Sequence, residues 1–436
     1  MTQSAAHEFD TLKVHAGYDP KEHNLSVQVP IYQTVSYELG DTARVDRLLS
    51  FEELGWLYTR ITNPTVHVLE QRVAELDGGT GGLAVASGMA AVSYTLLNLA
   101  EGGGRIVTSP RLYGGTFDFF HKLLPKYGVG IDFVTDPDDA DAYAAQIKPD
   151  TKAIFVETIS NPNATLIDIE ALAEIAHAAG IPLVVDNTFA TPYLFQPLKH
   201  GADVIVYSAT KGIGGHGAAI GGVIVESGKF PWDNGKFPQF TEKQHLLRDR
   251  KTDRLRSFLE IAPQFPFTLR LRLTHLAYLG AALGPFDAYL LLQGLETLSE
   301  RVSKQVATTA TLIDYLERVP HVAWVRHPAA KGSKYKQLAQ RYFPRGTGTV
   351  VSFGLKGTPQ QYDKFIDSVR LFSFQANVGD NRSLIINTPK TTHGELTSAE
   401  QATAGITPDT VRISVGLEAP QDLIGDLEQA FEKAFG

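Results

Sequence analysis

The architecture of this chain follows from one segment, Val204-Ile205-Val206-Tyr207-Ser208-Ala209-Thr210-Lys211-Gly212. Its apolar, β-branched first half predicts a strand that is buried on both faces. The strand ends in two hydroxyl groups, a lysine and a glycine. A lysine placed just after a buried strand is poorly solvated, which lowers the pKa of its amine and lets it form a Schiff base. Taken alone, Lys211 has an ordinary alternative as a surface lysine.

A second segment, Pro182-Leu183-Val184-Val185-Asp186, is built in the same way but ends in a carboxylate. The spacing between Asp186 and Lys211 fits a single connection between two strands. In an open parallel sheet, ligands bind in the crevice beyond the carboxyl ends of the strands. We therefore expect both side chains to reach one crevice.

The region around these segments alternates apolar runs with helical patterns. Candidate strands are Leu83–Ala86, Arg105–Ser109, Ile131–Val134, Ala153–Glu157, Leu183–Asp186, Val204–Ser208 and Val223–Val225. The clearest helix between them is Ile169–Ala179, which has apolar residues on one face. Continuous apolar strands separated by helices predict an α/β fold with a mostly parallel sheet that is covered on both sides.

Three regions are predicted along the chain. Residues 1–62 form an N-terminal arm with weak periodicity, which we expect to pack on a neighbouring subunit. Residues 63–292 form a large domain, with an insertion at about residues 230–285 that is rich in aromatics and prolines. Residues 293–436 form a smaller α/β domain, which is entered through a helical segment at about residues 286–316. Its predicted elements are strands at Val350–Phe353, Leu384–Asn387 and Val411–Val415, and helices at Gln360–Val369 and Asp422–Phe435.

Composition excludes several classes of function. The net charge of the 436 residues is −8, so no overall basic field favours nucleic acid. The densest basic stretch, Arg248–Arg256, contains aspartates and is predicted to be the solvated face of a helix. No apolar run is long enough to predict a membrane span. The absence of cysteine is typical of a cytoplasmic protein, and the 13 histidines show no metal-ligand spacing, so no metal is expected.

Phosphate-binding groups gather at two of the predicted strand ends. After Ala86, the residues Ser87-Gly88-Met89 open an apolar helix, and the first backbone N–H groups of a helix bind phosphate readily. The hydroxyl groups of Ser208 and Thr210 can also hold a phosphate. The ordinary alternatives are a capped helix with a glycine turn, and turn residues at a strand end.

Groups suited to a planar cofactor end other strands. Tyr113 follows one of them and has a ring that fits over a flat molecule, although a loop tyrosine also packs in ordinary ways. Glu157 and Asn161 end a further strand, where a plain turn is the alternative. Each signal is weak alone. Together with Asp186 and Lys211 they match what pyridoxal 5′-phosphate (PLP) requires, which is a phosphate cradle, an aromatic plate, a partner for the pyridine nitrogen and an amine.

Other cofactor and catalytic motifs are not supported. The glycine-rich segment Gly212-Ile213-Gly214-Gly215-His216-Gly217 opens no obvious helix and is therefore not a dinucleotide fingerprint. No Gly-x-Ser-x-Gly elbow of a serine hydrolase is present.

These residues resemble the Cys/Met-metabolism family of fold-type I PLP enzymes. The similarity runs from Thr11-Leu12-Lys13-Val14-His15-Ala16-Gly17 to Val411-Arg412-Ile413-Ser414-Val415-Gly416. Three segments narrow it to the branch that acts on O-acetylhomoserine. They are Trp232-Asp233-Asn234-Gly235-Lys236-Phe237-Pro238, Asn377-Val378-Gly379-Asp380-Asn381-Arg382-Ser383-Leu384 and Gly405-Ile406-Thr407-Pro408-Asp409.

The resemblance implies a role for each matching residue. Lys211 would bind PLP covalently, Asp186 would pair with the pyridine nitrogen and Tyr113 would stack on the ring. Asn161 would contact the ring oxygen. The phosphate would be held by Gly88, Met89, Ser208 and Thr210.

The resemblance also implies a shared active site. Tyr58 and Arg60 would reach the phosphate of the adjacent subunit, which requires at least a dimer and in this family typically a tetramer. Arg412 would bind the substrate carboxylate through a charge-assisted contact, with Asn377 beside it.

The implied activity is replacement of the γ-acetyl group of O-acetyl-L-homoserine by sulfide or methanethiol. Cystathionine synthases and lyases usually have Ser-Leu-Gly-Gly-x-Glu-Ser-Leu at the segment from Asn377 to Leu384, and here Asp380 and Arg382 replace a glycine and the glutamate. This departure weighs against a cystathionine substrate. The alternatives left open are methionine γ-lyase, cystathionine γ-synthase, a PLP aminotransferase and a non-catalytic protein with this fold.

Overall fold

A computed structural model describes residues 7–161 and 163–436 and has two β-sheets flanked by helices. The predicted α/β fold class is confirmed. The strands are β1 (Gly81–Val85), β2 (Gly104–Thr108), β3 (Val129–Phe133), β4 (Thr151–Glu157), β5 (Leu183–Asp186), β6 (Val204–Ser208), β7 (Gly222–Glu226), β8 (Val322–Arg326), β9 (Val350–Leu355), β10 (Ser373–Phe374), β11 (Leu384–Asn387) and β12 (Thr410–Ser414).

The α-helices lie between and around these strands. They are α1 (Phe9–His15), α2 (Thr42–Leu49), α3 (Pro64–Asp77), α4 (Gly88–Leu99), α5 (Gly114–Asp118), α6 (Ala140–Gln146), α7 (Ile169–Ala178), α8 (Thr191–Leu194), α9 (Pro238–Thr241), α10 (Phe258–Ile261), α11 (Pro266–Leu271), α12 (Ala277–Leu279), α13 (Pro285–Glu296), α14 (Leu298–Leu316), α15 (Lys336–Tyr342), α16 (Pro359–Ser368), α17 (Ser398–Thr403) and α18 (Pro420–Phe435).

The larger sheet has the strand order β1-β7-β6-β5-β4-β2-β3 and is mostly parallel, as predicted. The exception is β7, which runs antiparallel to both β1 and β6. Residues 209–221 connect β6 to β7 without a helix, and a parallel return needs a crossover connection that usually contains one. The chain therefore reverses direction in the loop that carries Lys211, and β7 runs back beside β6.

Both faces of the larger sheet are covered. Along β6, Ile205 and Tyr207 belong to one hydrophobic cluster, while Val204 and Val206 belong to another on the opposite face. All four side chains are almost fully buried. This alternation explains why the strand is apolar throughout its length, and it leaves the strand end as the first place where polar groups are found.

The smaller sheet has the order β10-β11-β12-β9-β8 and packs against α14, α16 and α18. Strands β9, β11 and β12 were predicted, but β8 and β10 were missed. In β8 only Val322 is buried, and β10 has two residues, so neither has the apolar run of a buried strand. The helical segment predicted at residues 286–316 is divided into α13 and α14 at Thr297, whose φ of −114° leaves the helical region.

The prediction of a helix at Arg248–Arg256 is wrong. This stretch is a series of turns, in which the carboxylate of Asp249 accepts hydrogen bonds from the N–H groups of Lys251 and Thr252. Asp253 has a φ of 61°, in the left-handed region. Asp249 therefore stabilises a turn, and Asp253 forms an ion pair with Arg248.

The described part of the predicted arm, residues 7–62, contains α1, α2 and irregular chain. Residues 1–6 lie outside the described residues. The amine of Lys13 bonds to Glu300 Oε1 at 2.6 Å and so joins α1 to α14. The domain boundaries at residues 62 and 292 stay a prediction. Within the described residues, none of the helices combines the length and apolarity needed to cross a lipid bilayer.

One buried carboxylate contributes to the contact between the insertion at residues 230–285 and the larger sheet. Glu226 ends β7, and its oxygens accept hydrogen bonds from Trp232 Nε1 at 3.2 Å and from the N–H groups of Phe267 and Thr268 at 3.2 and 2.9 Å. Burial raises the pKa of Glu226 to about 7. Loss of this acceptor would leave buried donors without partners.

We predict that Glu226→Ala lowers the free energy of unfolding by about 3 kcal/mol, because several buried N–H groups lose their acceptor together. The measurement is the midpoint of thermal unfolding, which should fall by several degrees. Glu174→Ala, at an exposed position of α7, is the control and should leave the midpoint unchanged. Equal midpoints for the two variants would contradict this role of Glu226.

Candidate active site

One cavity collects the polar groups at the carboxyl ends of the parallel strands. It lies between the ends of β4, β5 and β6, the start of α4, and three segments of the C-terminal region, at residues 376–378, Thr392 and Arg412. Its lining residues are Ser87, Gly88, Met89, Val92, Tyr113, Thr116, Glu157, Ile159, Asn161, Asp186, Thr188, Phe189, Ser208, Thr210, Lys211, Ile220, Ala376, Asn377, Val378, Thr392 and Arg412.

Lys211 is held in this cavity three residues beyond the end of β6. Its amine donates a hydrogen bond to Asn377 Oδ1 at 2.5 Å. Burial lowers the pKa of Lys211, and the nearby positive charge of Arg412 lowers it further. A larger fraction of the amine is therefore neutral, which is the form that attacks a carbonyl or accepts a proton.

Asp186 ends β5, and its carboxylate is held by Thr188. Its Oδ1 accepts a hydrogen bond from the N–H of Thr188 at 2.9 Å, and the Thr188 hydroxyl in turn accepts from the N–H of Ser208 at 2.8 Å. Burial raises the pKa of Asp186 to about 6, while the contacts to Thr188 oppose the rise. The carboxylate is thus fixed in position beside the loop that carries Lys211.

Glu157 lies beside Asp186 at the same level of the sheet, because the two residues are partners in the pairing of β4 with β5. Its Oε1 accepts a hydrogen bond from the N–H of Tyr113 at 2.6 Å, and its Oε2 accepts from the N–H of Asn161 at 2.7 Å. Burial raises the pKa of Glu157 well above its usual range, and the neighbouring Asp186 adds to the rise.

Arg412 enters the cavity from β12 of the smaller sheet and is buried. Its Nη1 donates a hydrogen bond to Asn161 Oδ1 at 2.9 Å. Among residues 7–161 and 163–436, no carboxylate lies within 4.0 Å of its guanidinium group. Burial lowers the pKa of Arg412 to about 10, so the group stays charged at neutral pH and is available to an anion that enters the cavity.

The start of α4 has the features of an anion site. The Ser87 hydroxyl caps the helix by accepting from the N–H of Ala90, and the N–H groups of Gly88 and Met89 have no acceptor within the helix. A Cβ added at Gly88 would lie 2.5 Å from Ser208 Cβ, so only glycine lets this turn pass so close to β6. The Thr210 hydroxyl already donates to Gly221 O at 3.2 Å and accepts from its N–H at 3.0 Å.

The chemical groups of these residues match the groups of PLP that a protein must bind. Free N–H groups at a helix start suit a phosphate, a fixed carboxylate suits a protonated pyridine nitrogen, and a desolvated amine suits an aldehyde. Tyr113 is also among the residues that line the cavity. The glycine cradle between α4 and β6 leaves room for the phosphate close to the backbone.

Comparison with known proteins agrees with this chemistry. Residues 10–432 match the family described as Cys/Met metabolism PLP-dependent enzyme. The chain belongs to this family. It is therefore a PLP-dependent enzyme, and the predicted cofactor is confirmed.

Relatives and solved structures extend the match to the whole chain. Sulfhydrylase FUB7 of Fusarium oxysporum f. sp. lycopersici is 44% identical over 100% of both chains. O-acetyl-L-homoserine sulfhydrylase of Leptospira meyeri is 42% identical over 97% of this chain and 96% of its own. A Campylobacter jejuni crystal structure described as O-acetylhomoserine (thiol)-lyase has a TM-score of 0.91 and 37% identity, and covers 98% of this chain and 100% of its own. That structure contains N′-pyridoxyl-lysine-5′-monophosphate.

The structure brings together most of the predicted site residues. Ten of them line the cavity, namely Gly88, Met89, Tyr113, Asn161, Asp186, Ser208, Thr210, Lys211, Asn377 and Arg412. Tyr58 and Arg60 do not line it, and the Arg60 guanidinium lies 5.3 Å from the centre of the Tyr58 ring. The individual roles of all these residues stay predictions.

The structure shows two contacts that were not predicted. Asn161 contacts Arg412, and Asn377 contacts Lys211. Thr188 was not predicted to belong to the site, and Glu157 was placed at a strand end without a specific role. The signal for Glu157 was present, because it is a carboxylate at the end of a buried strand, like Asp186.

We predict that Gly88→Ala weakens PLP binding about tenfold or more, since the added methyl group collides with Ser208 and displaces the N–H groups at the start of α4. The measurement is the dissociation constant of PLP, from titration of the cofactor-free protein. Gly425→Ala is the matched control, because a Cβ at Gly425 of α18 meets nothing within 4 Å. Unchanged affinity in Gly88→Ala would show that this turn does not hold the phosphate.

Proposed function

We propose that this enzyme replaces the γ-acetyl group of O-acetyl-L-homoserine with sulfide or methanethiol, which gives L-homocysteine or L-methionine plus acetate. The proposal rests on the buried guanidinium of Arg412, which lies near Lys211. Within the described residues, this guanidinium has no carboxylate within 4.0 Å. An amino-acid carboxylate that binds Arg412 places its α-carbon near the amine of Lys211. The names of the Leptospira and Campylobacter proteins support the same substrate.

The charges of the cavity favour a small, uncharged or singly charged nucleophile. Lys211 and Arg412 are the only lysine and arginine among its lining residues. If Arg412 binds the carboxylate of the first substrate, these residues offer no second arginine for the carboxylate of cysteine. The apolar side chains of Ile159, Ile220 and Val378 line the same cavity and suit sulfide or a methyl thiol. This supports sulfhydrylation over synthesis of cystathionine.

The chain's own residues supply positioning and proton transfer. When bound, PLP supplies the electron sink that makes the α-proton of an amino acid acidic. Lys211 Nζ takes this α-proton, which its lowered pKa favours. Asp186 would pair with the protonated pyridine nitrogen, and Tyr113 would lie over the ring. As acetate leaves the γ-carbon, one β-proton is lost; as the thiol adds at that carbon, one proton returns to each of the β- and α-carbons, and the proton of the thiol leaves with acetate. Lys211 Nζ would carry the protons to and from these carbons.

We also propose that the active site is shared between subunits of a homotetramer. The arm exposes large apolar side chains at Leu25, Val27 and Leu54, which a single chain leaves in contact with water. Tyr58 and Arg60 lie on this arm, outside their own cavity, where they can reach the phosphate of an adjacent subunit. A role in methionine biosynthesis follows from the proposed products, and a cytoplasmic location stays a prediction from the cysteine-free composition.

Product analysis tests the proposed reaction. We expect homocysteine from O-acetyl-L-homoserine with sulfide, methionine with methanethiol, and no cystathionine with cysteine. An α-keto acid formed from methionine alone would indicate methionine γ-lyase instead. Cystathionine as the main product would indicate cystathionine γ-synthase.

Subunit mixing tests the shared site. We predict that Lys211→Ala and Arg60→Ala each lose activity about 100-fold or more, because one removes the proton-transfer group and the other a phosphate contact. If Arg60 acts in the neighbouring subunit, random mixing of the two variants restores about a quarter of the sites. The measurement is the specific activity after reassociation of an equal mixture.

The control mixture combines Lys211→Ala with Asp186→Ala. Both residues line the cavity of one chain, so this mixture should stay inactive. A mixture of Lys211→Ala and Arg60→Ala that also stays inactive, although the variants exchange subunits, would place Arg60 outside the neighbouring site.

A further inference from the structure

Glu157 is a buried carboxylate of the cavity that the proposed reaction does not use. Only 8% of the residue is exposed, and it lies among the lining residues next to Asp186. A carboxylate in such a place is costly unless its oxygens are satisfied. Each of its two oxygens accepts a short hydrogen bond from a backbone N–H group.

The two N–H groups belong to two different segments of the cavity lining. One is that of Tyr113, which precedes α5 and has no side-chain cap. The other is that of Asn161, in the loop after β4. Glu157 therefore connects the backbone of Tyr113 to the backbone of Asn161, whose side-chain amide contacts Arg412.

A continuous chain of hydrogen bonds runs from Glu157 to the guanidinium group. Asn161 donates its N–H to Glu157 at 2.7 Å and accepts from Arg412 with its Oδ1 at 2.9 Å. Arg412 comes from the smaller sheet and Glu157 from the larger one. The contact through Asn161 thus fixes Arg412 relative to the strand ends of the larger domain.

We propose that Glu157 is a positioning residue, which through the backbones of Tyr113 and Asn161 sets the orientation of Arg412 toward the amino-acid carboxylate and of Tyr113 toward PLP. It does not itself touch the reacting atoms. The proposal rests on the proposed function, because it assigns Arg412 to a substrate carboxylate. The Coulomb attraction between Glu157 and Arg412 acts in the same direction as the hydrogen bonds.

Glu157→Gln tests the proposal with little change of shape. A glutamine side chain has one acceptor oxygen and one donor nitrogen, so one of the two N–H groups loses its acceptor. We expect the KM for O-acetyl-L-homoserine to rise about tenfold or more, as when a hydrogen bond to a charged group is lost. The KM for sulfide should stay within twofold of wild type, since sulfide has no carboxylate. A purely structural role would not change one KM alone.

Glu226→Gln is the matched control. Glu226 is also buried and also accepts backbone N–H hydrogen bonds, but it lies at the end of β7 that pairs with Val204, away from Lys211. Both variants should lower the midpoint of thermal unfolding, while only Glu157→Gln should raise the KM for O-acetyl-L-homoserine. Glu157→Asp gives a second test if the glutamine variant does not fold. It keeps the charge but is one methylene too short to reach both N–H groups, so the same KM should rise.

A second readout separates this inference from the proposed function. The dissociation constants of PLP and of L-homoserine, the latter read from the cofactor's absorbance, should both rise in Glu157→Gln even if the wild type does not use O-acetyl-L-homoserine. The proposed function would then fail while the positioning role stands. The inference is overturned if the KM and both dissociation constants stay within twofold of wild type, or if Glu226→Gln changes them equally.

Discussion

Desolvation sets the chemistry of this protein, because two cations and two carboxylates are enclosed in one cavity. Burial lowers the pKa of Lys211 and Arg412 and raises that of Asp186 and Glu157. In water these four groups would have their usual charges and little influence on each other. Inside the cavity each depends on its neighbours, so the amine can act as a nucleophile and base while the guanidinium remains a cation for a carboxylate.

Both sheets contribute residues to this cavity. The larger sheet contributes the strand ends with Glu157, Asp186 and Lys211, while the smaller sheet contributes Arg412 and the loop with Asn377. Two side-chain hydrogen bonds join these cavity residues across the two sheets. One runs from Lys211 to Asn377 and the other from Arg412 to Asn161. The position of the Arg412 guanidinium therefore depends on how the smaller sheet packs against the larger one, and Glu157 lies next to one of these contacts.

Local patterns predicted the central elements well. The bounds of β5, β6 and β11 were predicted at both ends, because a short apolar run ended by polar residues leaves little freedom in placing a buried strand. The direction of β7 was not predicted, since it depends on a connection without a helix. The turns at Arg248–Arg256 were mistaken for a helix, because charge spacing alone does not separate a helix face from aspartate-stabilised turns. The partners of Asn161 and Asn377 are distant in sequence, so no local pattern could assign them.

The central claim is that PLP is bound covalently by Lys211. The most direct measurement is borohydride reduction of the purified enzyme with its cofactor, followed by proteolysis and peptide mapping by mass spectrometry. We expect a single pyridoxyl-phosphate adduct, on the peptide that contains Lys211. An adduct on a different lysine, or no adduct in an enzyme that retains full activity, would contradict it.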